Sequence, residues 1–109
     1  GPGPETLRLV WDQRTLEVRC VVLYGLRSAP RAGNTLRVRE TEISLFRAGQ
    51  PVKRLVVRRT LDPQGTRIDI DPVAVDAIEI TPTRYSGLVD GHRVAGLAEV
   101  EVLARLLED

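Results

Sequence analysis

Val94-Ala95-Gly96-Leu97-Ala98-Glu99-Val100-Glu101-Val102-Leu103 is the stretch that decides the fold. From Ala98 it alternates strictly: Ala98, Val100 and Val102 share one face, and Glu99 and Glu101 share the other. Successive side chains alternate across a strand, so the run predicts a half-buried strand, apolar side inward and carboxylates outward. Gly96 marks a place where a bulge or a close backbone approach is expected. A strand of this kind needs other strands to pack against, and the chain upstream supplies them.

Thr15 to Tyr24 is the strongest of these. Leu16, Val18, Cys20, Val22 and Tyr24 share one parity, and near the end Val21 and Leu23 are apolar as well. Apolar residues of both parities predict a central strand covered on both faces at that end. Leu7, Leu9 and Trp11 form a shorter run, which places Trp11 in the core, and Asp12-Gln13-Arg14 turns the chain after it. Leu36 and Val38 alternate on even positions and Ile43 and Leu45 on odd ones, so Arg39-Glu40-Thr41-Glu42 should contain a bulge or a break. Ala48-Gly49-Gln50-Pro51 predicts a hairpin before the basic run Val52 to Arg59, and Asp62-Pro63-Gln64-Gly65 predicts a turn. Ile68 and Ile70 begin a strand that Pro72 should break. Val73 to Ile80 reads as the next strand, stopped by Thr81-Pro82, and Ala104 to Asp109 as a helical turn or frayed tail. The pattern is all-β: about eight short strands in an antiparallel sandwich or jelly roll.

The chain has 109 residues and a net charge of +1, enough for one core but with no field that argues for nucleic acid. Lys53, Arg54, Arg58 and Arg59 form the one candidate basic stripe. The basic residues are nearly all arginine and scattered, which reads as the codon bias of a GC-rich, bacterial genome. No run approaches the ~20 apolar residues of a membrane span. The sequence contains no methionine, and Gly1-Pro2-Gly3-Pro4 has the character of a protease-cleavage scar with linker. The expectation is a single domain, residues 5–109, belonging to a longer protein. Cys20 is the sole cysteine and reads as a small buried residue.

The segment Gly96-Leu97-Ala98-Glu99-Val100-Glu101-Val102 resembles the final strand of galactose-binding-like domains, the discoidin or coagulation-factor C-type modules. Leu9-Val10-Trp11 followed by Val18 to Tyr24 is similar to the opening of that family. Phe46 to Val52 resembles its hairpin, and Asp76 to Ile80 its penultimate strand. The resemblance implies a jelly roll, a carbohydrate-recognising accessory role and a secreted or extracytoplasmic parent. It also implies a structural calcium held in part by Glu99. The family's calcium-binding opening segment does not precede Trp11, however, and Glu99 and Glu101 read as solvated carboxylates. No cofactor is expected.

Catalysis has little to build on. His92 is the only histidine, too few for a zinc site with Cys20, and it sits in a turn-like stretch. No phosphate-binding glycine loop occurs. Binding through loops on a rigid scaffold is the remaining chemistry. One loop offers Arg27, Arg31 and Asn34 beside Tyr24, and the other offers Arg84, Tyr85, Asp90, His92 and Arg93. Planar polar groups beside an aromatic ring suit a glycan. The alternative partner is a neighbouring protein domain or an assembly, favoured by a chain with only four aromatic residues.

Overall fold

The computed structural model describes residues 6–25, 37–86 and 97–107. Within them lie seven strands: β1 (Leu7–Val10), β2 (Thr15–Gly25), β3 (Arg37–Arg47), β4 (Gln50–Val57), β5 (Thr66–Val75), β6 (Ala77–Ser86) and β7 (Leu97–Leu107). They form two antiparallel sheets, one ordered β1-β6-β3-β4 and the other β5-β2-β7. This is the expected β-sandwich. Every connection except the β3–β4 hairpin carries the chain from one sheet to the other, so neither sheet is a contiguous piece of sequence.

The core lies between the sheets. Val18, Val21 and Leu23 of β2 and Ile68, Ile70 and Val75 of β5 face Val38, Ile43 and Leu45 of β3 and Ile78 and Ile80 of β6. Trp11 packs half-buried against this cluster, as do Val100 and Val102 of β7. Glu99 and Glu101 are exposed, so the closing strand keeps its apolar residues in and its acids out.

Turn chemistry follows the sequence closely. Ala48 (φ 51°) and Gly49 (φ 77°) form a two-residue hairpin with both residues left-handed, the twist that suits adjoining strands. Asp62 caps its own turn, its carbonyl accepting from Gly65 N at 3.0 Å and its carboxylate from Gln64 N at 2.8 Å. Gln13 (φ 56°) lies in the expected turn after Trp11.

Five expectations are corrected. The strand count is seven among the described residues rather than about eight; the bulge expected across Arg39–Glu42 is present, as register shifts at Val38/Glu40 and Glu40/Thr41 within a continuous β3. Pro72 does not break β5: it sits on an edge strand, in the irregular stretch between the pairs Val18↔Val73 and Cys20↔Asp69, where no ladder bond is required of it. Pro82 does not stop β6: the strand pairs with β3 through Thr41↔Pro82 and on to Arg37↔Ser86, while its ladder with β1 runs only as far as Ile80. The strand read as Val73–Ile80 is instead divided at Asp76. There Asp76 N donates to Phe46 O, Asp76 O accepts from Trp11 N, and the carboxylate accepts from Ala48 N, each at 2.9 Å. Finally, the end of the chain is neither helical nor frayed through Leu107; β7 continues along β2 as far as Thr15↔Leu107.

Thr41 is fully buried among the core residues, and its Oγ1 has no hydrogen-bond partner. An unsatisfied buried hydroxyl carries its desolvation cost uncompensated. Thr41→Val keeps the shape and removes the hydroxyl, and should raise the free energy of urea unfolding by about 1 kcal/mol. Thr41→Ser keeps the hydroxyl but loses a methyl group, and should lower it by about 1 kcal/mol.

Candidate functional site

Two regions carry chemistry: one end of the sandwich and the outer face of the three-stranded sheet. At the end, Gly25 pairs with Leu97 in one sheet and Arg37 with Ser86 in the other. The β4–β5 connection closes on both, with Leu61 N donating to Val38 O at 2.9 Å and Gly25 N to Asp62 O at 3.0 Å. A Cβ on Gly25 would stand 2.8 Å from Leu61 O, so the crossing of these two backbones requires glycine. The segments 26–36 and 87–96 therefore leave from adjoining strand ends. Arg27, Arg31, Asn34, Asp90, His92 and Arg93 themselves lie outside the described residues.

Arg84 and Tyr85 are described, and they do not make one face. Arg84 stands opposite Glu40, its Nε 3.8 Å from Oε2, and Glu40 also receives Arg58 Nε at 3.3 Å and Thr83 Oγ1 at 3.0 Å. Tyr85 stands opposite the core residue Val38 and is 39% exposed. Neighbouring residues on a strand turn to different sides, which separates the guanidinium from the ring. The basic stripe is divided as well: Arg54 binds Glu42 at 2.8 Å, Arg58 binds Glu40, and Lys53 lies 3.8 Å from Asp71.

The second region was not visible in the sequence. A bulge in β2 between Val18 and Cys20 inserts Arg19 between the pairs Val18↔Ala104 and Cys20↔Leu103. Val18 and Val21 both reach the core as a result, and Val22 and Tyr24 turn outward, reversing the parity read from the alternation. Cys20 is only 1% exposed, yet it belongs to the outer side, opposite the exposed Leu103 and Asp69. It lies at the floor of an open depression of roughly 600 Å³ lined by Arg19, Arg67, Leu103, Ala104 and Arg105.

Carboxylates hold these three guanidiniums in place. Glu17 accepts from Arg19 Nη2 at 2.8 Å and from Arg105 Nη2 at 3.3 Å, and Asp69 accepts from Arg67 Nε at 2.9 Å. The Arg19 hydrogen bond is the main cause that holds the Glu17 carboxyl below its ordinary range. Burial opposes it, and the charges of Arg105 and Arg19 assist. No three His, Cys, Asp or Glu side chains among the described residues come together as metal ligands, and Glu99 is exposed.

No family model matches the chain, and no curated protein matches it significantly. Among solved structures, the NMR structure of the Streptococcus pyogenes NAD+-glycohydrolase translocation domain aligns with a TM-score of 0.67 at 16% identity. The match covers 94% of this chain and 91% of that one. The likeness is one of fold. It extends over nearly the whole of both chains.

Beside the depression, Tyr24 Oη donates to Glu101 Oε1 at 2.6 Å. That bond is the main cause that raises the phenol above its ordinary value of 10.0, with desolvation and the charges of Glu101 and Glu99 acting in the same direction. Because the folded chain holds this proton more tightly, the contribution to stability is present below the unfolded phenol's pKa and is lost as pH rises through the folded one. In a spectrophotometric titration, with Tyr24→Phe used to subtract Tyr85, Tyr24 should ionise later than a free tyrosine. Glu101→Gln should bring it back toward the ordinary value.

Proposed function

We propose that this chain is a non-catalytic accessory module of a larger protein, which works by docking onto a protein surface. The observation that carries the reading is the end-to-end fold likeness to a domain whose name assigns it to translocation within an NAD+-glycohydrolase. The character of the described surface agrees with it. Both outer faces are laid out as paired guanidiniums and carboxylates, which suits specific contact between proteins more than the enclosure of a small substrate.

A glycan is the second reading. It rests on Arg84 and Tyr85 at the loop end and on the closing strand's resemblance to galactose-binding-like modules. The division of Arg84 and Tyr85 between two sides of β6 weakens it, since stacking and bidentate pairing need both groups on one surface.

Two measurements separate the readings. In the protein that carries this chain, removal of residues 5–109 should leave turnover by any catalytic domain unchanged while abolishing its delivery or its assembly with partners. The isolated chain should give no saturable signal on a glycan array. Saturable glycan binding that disappears in Arg84→Ala/Tyr85→Ala would replace the docking reading with the carbohydrate one.

A further inference from the structure

The four sheet edges are not equally guarded. β1 offers only four residues. β5 carries Pro72 and the exposed Asp69 and Asp71 along its edge. β4 has Pro51 as its second residue, shifts register opposite Leu45 and Phe46, and carries Lys53 and Arg54. β7 is guarded less: its charges Glu99, Glu101 and Arg105 are of both signs, and the one irregularity on its own strand lies near its start, at Ala98 between Tyr24↔Glu99 and Gly25↔Leu97. It is eleven residues long, pairs only with β2 among the described strands, and contains no proline. Alternate residues of an antiparallel strand turn their N–H and C=O groups away from the neighbour they pair with, so β7 presents a row of backbone groups that no described strand pairs. Beside that row stand Leu103, 43% exposed, and Leu106, 52% exposed.

The side chains along this edge are complementary to themselves. Pairing with β2 puts Glu101, Leu103 and Arg105 on the outer face, opposite Val22, Cys20 and Glu17, and puts Val100, Val102 and Leu106 on the core face. When two copies of β7 are laid antiparallel about a two-fold axis at Leu103, Glu101 of each falls opposite Arg105 of the other. Leu103 meets its own counterpart, Val102 meets Ala104, and the exposed Leu106 meets Val100. Sliding the register by two residues one way sets Glu101 against Leu103, and sliding it by four sets Glu101 against Glu101. The Leu103 register therefore gives two opposite-charge cross-strand pairs and an apolar centre.

We propose that a second copy of this chain docks along β7, forming an isologous dimer in which two three-stranded sheets join into one of six strands. The two-fold geometry uses the same patch on both copies, as closed dimers do. The bonds already made within each copy, Tyr24 to Glu101 and Arg105 to Glu17, remain compatible with it. A carboxylate accepts several hydrogen bonds and a guanidinium has five N–H donors.

The test is charge exchange followed by light scattering and sedimentation of the 109-residue chain over a concentration series. The unchanged chain should reach dimer mass. Glu101→Arg alone and Arg105→Glu alone should each weaken self-association by about tenfold or more, because like charges then face each other twice. An equimolar mixture of those two variants should recover the dimer, and so should the double variant Glu101→Arg/Arg105→Glu. The double variant and the mixture also guard against loss of folding, since misfolded single variants would not be rescued by mixing. A chain that stays monomeric at every concentration overturns the proposal. So do single variants that dimerise as well as the parent, or a double variant that does not recover.

Discussion

The structure depends on one extra residue in its central strand. β2 is hydrogen-bonded on both sides, and the bulge between Val18 and Cys20 inserts Arg19 there. A bulge of one residue exchanges the faces of everything beyond it. Before it, Val18 points inward; after it, Val21 and Leu23 do, and these three stand at the centre of the core. With no bulge, either Val18 or the pair Val21 and Leu23 would have to leave the core, and Tyr24 would have to enter it. The same insertion brings Cys20 beneath the guanidiniums of Arg19, Arg67 and Arg105 and sets Leu103 on the outer face. Core, depression and edge all follow from it.

Charge is distributed by strand position. On the four-stranded sheet the acids Glu40, Glu42 and Glu79 stand on the interior strands β3 and β6. Arginines reach them from the edges: Arg8 to Glu79 at 3.4 Å, Arg54 to Glu42 at 2.8 Å and Arg58 to Glu40 at 3.3 Å. Each exposed pair contributes little to stability, about 0–1 kcal/mol. Their effect is on recognition instead. The 15 acids nearly match the 16 basic residues in number, and their pairing neutralises the described faces locally and divides the basic run Lys53–Arg59. A polyanion finds no continuous positive track, while a protein surface with matching charges finds a specific pattern.

What the sequence made legible was local. Alternation in Thr15–Tyr24, Ile68–Ile70 and Ala98–Val102 located strands, and Ala48-Gly49 and Asp62-Pro63-Gln64-Gly65 located turns, because backbone conformation at such sites is governed by the residues themselves. The parity change across Arg39–Glu42 also announced its bulge. Position within a sheet was not legible. Pro72 and Pro82 looked like breaks because a proline cannot serve a strand paired on both sides, yet Pro72 sits on an edge strand and Pro82 beyond the last pair that β6 makes with β1. The bulge in β2 was hidden because Val21, Val22 and Leu23 are all apolar, so either parity could have been the buried one. Of the candidate site, Arg84 and Tyr85 looked like partners in sequence, and only the register on β3 reveals that Glu40 and Val38 draw them to different sides.

These features fit together as a division of labour. Five of the six connections pass between the sheets, so the strands are interleaved and the core closes only when both sheets are complete. Such a framework has little freedom to reshape its interior for a ligand, and its backbone groups are spent within the ladders. Recognition is then left to the margins of the ladders: the end where Gly25, Leu97, Arg37 and Ser86 close the described strands, and the flank of β7 that no described strand covers. Natural sheets guard their edges with prolines, charges and short strands, and three of the four edges here do so. The fourth carries charges of both signs and no proline, and from Glu99 to Leu107 no residue of its own is skipped in the pairing, with Leu103 and Leu106 exposed beside a matched acid and base. An edge left open in a chain that closes its others is most simply explained by use, and its side-chain pattern fits its own copy better than it fits solvent.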